Sequence, residues 1–225
     1  MATTDSAGYR LHAFRVPAST RSLAELLLGF AAIMAVLWLP THLQLIFGPI
    51  ALLAPLLLVL LRRPGLYDLG LGWRGFASSL WIFPAAVLLS VASVQLAKNF
   101  GTFHTLYAPD FSHVAGYVVW TLYQQFLLQD YLVPRLSAFL SGDRAIMVAA
   151  ILFSVAHLPN LPLVLATLVW GAVSGLLFRR YRNLYVLGLT QGLLGLCFAV
   201  CIPDAWHHHM RVGLGYLRYH PTPLN

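Results

Sequence analysis

The feature that most limits what this chain can become is a succession of long apolar runs, at about 22–39, 44–61, 76–97, 114–139, 143–158, 161–178 and 183–202. Apolar runs of roughly 18 residues or more read as membrane-spanning helices. The fifth and sixth are short and separated only by His157-Leu158-Pro159-Asn160, so a count of six or eight stays open. Hydrophobic residues make up 59% of the chain and charged residues 9%, whereas a soluble domain carries about 25% charged residues. The fold expected is an all-α, polytopic integral membrane bundle of about seven spans.

The charges then orient the bundle. Arg10, Arg15, Arg21, Arg62, Arg63, Arg74, Arg135, Arg144, Arg179, Arg180 and Arg182 fall at alternate ends of the spans, against Lys98, Arg211 and Arg218 at the other ends. By the positive-inside rule this puts the N-terminus inside and the C-terminus outside, in what we read as a bacterial inner (cytoplasmic) membrane. The net charge of +7 is thereby accounted for as topology, leaving no basic patch for nucleic acid. Residues 1–20 read as a cytoplasmic tail without a signal peptide's cleavage pattern. Residues 21–203 read as the membrane domain, and 204–225 as an outward, His-rich tail that either folds back as a lid or lies on the membrane.

Polar groups at membrane depth are costly unless they pair or face a cavity. Three places break the apolar runs: Gln124-Gln125-Phe126-Leu127-Leu128-Gln129, Phe153-Ser154-Val155-Ala156-His157, and Gln191. Shared use of one cavity is the least costly arrangement, so Gln124, Gln125, His157 and Gln191 are expected to line it, with Gln129 and Asn160 in support. Of nine histidines only His12 lies on the inner side. Neutral imidazoles sit comfortably at an interface; the sharper expectation is that His157 with one or more of His207, His208 and His209 holds a transition metal (zinc, iron or copper). Cys197 and Cys201, four apart on the last span, read as packing residues. Gly171 and Gly175 form a small-xxx-small pair suited to close helix contact.

Taken in order, Gln124-Gln125-x-x-x-Gln129, Phe153-x-x-x-His157, and Gly171-x-x-x-Gly175 leading to Gln191 resemble the CPBP family, the CAAX-protease and bacteriocin-processing membrane proteins. The family's motifs are Glu-Glu-x-x-x-Arg, Phe-x-x-x-His and His-x-x-x-Asn (or Asp). The resemblance covers about 114–200 and implies a CPBP-like core there. It also implies that Gln124 stands where the family has the glutamate that activates water. Gln125 and Gln129 stand for its Glu–Arg pair, Gln191 for its second histidine, and Gly195 for the Asn. His157 is retained. An amide has no useful basicity near neutral pH, and Glu25, the sole glutamate, lies far off near the start of the first span. Gln–Gln at a spacing of four can still hydrogen-bond along one face, so the changes keep the site neutral and polar.

Three readings follow, all with membrane lipid and a hydrophobic or lipidated substrate as partners. One is a membrane enzyme on this scaffold, a hydrolase or oxidoreductase working through a His-based metal site. Another is a catalytically silent relative that binds lipidated or hydrophobic peptides. The third is a divergent CAAX-type intramembrane endopeptidase.

Overall fold

The structure is a computed structural model and describes residues 16–106 and 110–220. Most of the expected N-terminal tail, with Arg10, His12 and Arg15, lies outside the described residues, as do the last five residues of the expected C-terminal tail. Every regular element among the described residues is a helix: α1 (Thr20–Trp38), α2 (Thr41–Leu60), α3 (Trp73–Ser79), α4 (Ile82–Phe100) and α5 (Phe111–Phe126) come first. A π-helical turn (Leu127–Leu132), α6 (Val133–Leu136), α7 (Gly142–Val155), α8 (Leu161–Tyr181), α9 (Leu184–Cys201), α10 (Asp204–His207) and α11 (Gly213–Leu217) follow.

Among the described residues five helices are long and apolar enough to cross a membrane: Thr20–Trp38, Thr41–Leu60, Gly75–Phe100, Leu161–Tyr181 and Leu184–Cys201. The protein is a polytopic integral membrane bundle. Of the seven runs expected, five are these helices, and the other two take another form. The fourth run is one helix interrupted by the π turn, and the fifth is the 14-residue α7, about 21 Å long at 1.5 Å per residue.

Two antiparallel pairs frame the site. On α8, a Cβ at Gly175 would lie 2.5 Å from Ile146 of α7, and one at Gly171 would lie 3.1 Å from Ala150, so the small pair is where α7 lies closest. On α9, a Cβ at Gly188 would lie 2.9 Å from the Leu122 backbone of α5. There the Thr121 hydroxyl donates to Gly188 O at 2.9 Å. Cys197 packs toward α4, its Sγ 3.6 Å from Ser90 O, and both cysteines are free thiols.

Charge is fixed at one end of the bundle. The Glu25 carboxylate of α1 accepts from Arg135 at 3.0 Å, Arg62 at 2.7 Å and Arg21 at 3.1 Å. Arg135 is fully buried, its guanidinium 4.1 Å from the Tyr131 ring centroid, and the Tyr131 hydroxyl donates to Glu25 O. One carboxylate thus ties α1, the end of α2 and α6 together. At the same end Arg179 pairs with Asp143, and Arg182 donates to Asp68 O.

Histidines gather at the opposite end, and there the C-terminal segment folds back over the bundle. Asn160 caps α8 by accepting from Leu163 N at 3.2 Å. Its amide donates to His207 O at 2.8 Å and Arg211 O at 3.1 Å. Gly213 N donates to Leu158 O at 2.7 Å. The described part of this tail thus forms a strap over the helix ends.

Candidate functional site: an amide chain beside an apolar cavity

The polar intrusions meet in mid-bundle. Gln125 donates to Gln191 Oε1 at 2.6 Å, Gln129 donates to Gln125 Oε1 at 3.1 Å, and Gln191 donates to Gln124 Oε1 at 2.5 Å. One further contact fixes the direction of all four amides. The indole of Trp170 on α8 donates to Gln191 Oε1 at 3.1 Å, and an indole N–H can only donate. Gln191 must therefore present its oxygen to Trp170 and its NH2 to Gln124. Gln125 must present its NH2 to Gln191, which leaves its oxygen for Gln129. The Ser174 hydroxyl receives from Gln129 at 3.3 Å and from Gln125 at 3.4 Å, anchoring the inner end.

The order ends at Gln124, whose oxygen is engaged and whose Nε2 has no protein partner among the described residues. Gln124 borders a cavity of about 860 Å³ shared with His157, Gln191, Tyr117, Thr167 and Trp170. Apart from Tyr131 the rest of its wall is apolar, drawn mainly from α1, α2, α5, α7, α8 and α9. Such a volume and wall suit a lipophilic ligand, with a few polar groups to orient it.

His157 follows the end of α7, and its Nδ1 lies 2.8 Å from Phe153 O. A carbonyl only accepts, so Nδ1 carries the hydrogen and Nε2 keeps its lone pair. His157 and Gln124 thus offer the cavity an acceptor and a donor.

Gln125 departs from the expected lining. It is fully buried in the wall behind Gln191, because its NH2 is drawn to Gln191 of α9 and Ser174 of α8 while its oxygen accepts from Gln129 one turn along its own helix. Gln129 occupies the π turn and is also sealed, with its own oxygen unpartnered. The space beside Gly195 is filled as well: a Cβ there would lie 1.9 Å from the Tyr117 hydroxyl. A phenol stands where the family motif implies an asparagine.

A transition metal held by His157, His207, His208 and His209 does not fit this geometry. His207 donates from Nε2 to Ile202 O at 2.9 Å and accepts Met210 N–H at Nδ1, 3.0 Å away, so neither lone pair is free. His208 lies against Tyr216 and Tyr219, ring centroids 4.0 Å and 4.8 Å away. His209 and the Tyr219 hydroxyl both contact Asp204, at 3.2 Å and 2.5 Å. Among the described residues no group of three or more His, Cys, Asp or Glu side chains gathers as a metal site. The His run instead builds the strap, and Asn160 pins it. Burial holds the His207 and His209 imidazoles below the ordinary histidine value. Asp204 is raised by burial, but hydrogen bonds from Tyr219 and the His209 backbone outweigh this and leave it below the ordinary carboxyl value.

Sequence reasoning passed over the Glu25–Arg135 node. Its partners lie 110 residues apart, and the one available signal was an arginine read only as a topology marker.

The chain is an all-helical membrane bundle with a polar site in mid-bundle, and comparison with known families supports an intramembrane-protease type of scaffold. Residues 111–197 match the family model described as type II CAAX prenyl endopeptidase Rce1-like. The match takes in less than half of the chain and is consistent with membership of the CPBP family. No curated protein and no solved structure matches the chain.

Proposed function

We propose that this protein is a membrane-embedded binding protein for lipidated or hydrophobic peptides, a catalytically silent use of the CAAX-endopeptidase scaffold. One observation carries the reading: the amide chain that ends at Gln124. Where a hydrolase needs a basic oxygen to take a proton from water, the chain offers a neutral amide with its oxygen already engaged. The free Gln124 NH2 faces a largely apolar cavity and is suited to donating to a peptide carbonyl. The lipid chain would occupy the apolar part of the cavity, and the His157 lone pair would accept a peptide N–H.

The arginine-rich end lies on the cytoplasmic side in this reading, and the strap lies outside, in a bacterial inner membrane.

A second reading rests on His157 alone. Its free Nε2 lone pair is the one candidate base among the described residues that line the cavity, and a hydrolase here would work through it without glutamate or metal.

Incubating a fluorescent farnesylated peptide with the purified protein in nanodiscs separates the two. The binding reading expects saturable anisotropy, weakened by Gln124→Ala, with the peptide intact by mass spectrometry. Cleavage abolished by His157→Ala would favour the second reading.

A further inference from the structure

A second cavity, of about 980 Å³, lies at the outer end under the strap. It shares Tyr117 and Met210 with the first cavity, so the two chambers adjoin across these side chains. The inner chamber is the more apolar. The outer one is lined in part by the imidazoles of His104, His113 and His209.

The charges around the outer chamber are distributed unevenly. Its carboxylate, Asp204, is already engaged by Tyr219 O–H, the backbone N–H of His209 at 2.6 Å and the His209 ring. Asp110, next to the chamber wall, is engaged by Ser112 and His113. Two cations lie over aromatic rings that belong to its wall. Lys98 Nζ is 5.1 Å from the Phe103 ring centroid, and Arg211 Cζ is 5.4 Å from that of Tyr219; both rings line the chamber. Cations are scarce at this end, where the sequence places only Lys98, Arg211 and Arg218. Two of the three therefore lie against rings of one chamber's wall. Guanidinium and ammonium groups are the usual partners of phosphate oxygens.

We infer that the outer chamber binds a phosphate-type anionic head group, and that the ligand occupying both chambers is an anionic membrane lipid. Its acyl chain lies in the inner cavity and its head lies between Lys98 and Arg211 beneath the strap. The inference rests on the inner cavity being a binding site for lipophilic chains, as proposed above.

The test measures the thermal unfolding temperature of the full chain in detergent with added dioleoyl phosphatidic acid, dioleoylglycerol or inorganic phosphate. Phosphatidic acid should raise it more than dioleoylglycerol, which has the same chains and no phosphate. The Lys98→Gln/Arg211→Gln variant should lose that increment and keep the dioleoylglycerol shift, which shows that it is folded. Arg63→Gln/Arg144→Gln, exposed cations at the far end, should keep the increment. Inorganic phosphate alone should neither shift the transition nor compete. Equal shifts for the two lipids, or an increment that survives Lys98→Gln/Arg211→Gln, would overturn the inference. An increment reproduced by inorganic phosphate would make the ligand a free anion and overturn the lipid assignment. Farnesylated-peptide binding by Lys98→Gln/Arg211→Gln keeps the outcomes apart: if it persists while the lipid increment fails, only this inference falls.

Discussion

Gln191 of α9 donates to Gln124 of α5 at 2.5 Å, while its own oxygen accepts hydrogen bonds from both Trp170 and Gln125. This residue joins three helices and sets the one free polar group that the amide chain offers to the cavity.

Replacing Gln191 with Leu should break the chain at its centre. Trp170 and Gln125 would lose their acceptor and Gln124 its donor, and a buried polar group left unpaired costs about 1–3 kcal/mol. Thermal unfolding in detergent should show a clear drop. The Gln125→Leu/Gln191→Leu double change should lose less than the two single changes added together, because the groups share one network.

Restoring the family residue at Gly195 should be resisted. Gly195→Asn brings a Cβ against the Tyr117 hydroxyl, and overpacking of this kind costs about 1–3 kcal/mol. Adding Tyr117→Ala should recover much of the loss in the same melt.

Glu25→Gln should be among the most damaging single changes. It strips the carboxylate from a fully buried Arg135, and breaking one side of a buried pair costs about 3–5 kcal/mol. Glu25→Gln/Arg135→Met should be less damaging than Glu25→Gln alone, which a comparison of unfolding midpoints would register.

The strap should loosen in acid. His207 and His209 bind protons less readily in the closed strap than in an open one, because burial lowers both. An open strap therefore takes up more protons as the pH falls below the ordinary histidine value of about 6.5, and closure weakens there. Above that value the closed form carries no such penalty. Protonated His207 would also turn an N–H toward Met210 N–H, where it now accepts. Asp204 sits below its ordinary range, so its own stabilising charge is lost only at still lower pH. Hydrogen exchange at Met210 and Gly213, corrected for intrinsic rates, should rise between pH 7 and about pH 5, and His207→Gln should flatten the profile.

Much of this arrangement was legible in the sequence, because membrane physics makes polar intrusions conspicuous. The bundle and the meeting of Gln124, His157 and Gln191 at one cavity follow from apolar runs with costly exceptions, and Gly171 with Gly175 marked a close helix contact without naming its partner. Spacing was also enough for the Gln125–Gln129 bond. What spacing could not supply was direction across helices. Gln125 differs from Gln124 by one position yet points into the wall, a choice made by Ser174 and Gln191 on other helices. The π turn, which seats Gln129, leaves no apolar-period signature. The His run drew attention as a metal site by composition, whereas backbone atoms of Ile202 and Met210, invisible to residue type, take up His207.

The most direct test of the central claim is mass-spectrometric detection of cleavage of a bound farnesylated peptide by the unaltered protein and by Gln124→Glu. In the variant a carboxylate would stand where Gln191 now donates, in the cavity that His157 also lines. The account predicts saturable binding with intact peptide for the unaltered protein, and any cleavage that appears should require Gln124→Glu. Robust turnover by the unaltered protein that persists in Gln124→Ala would contradict it.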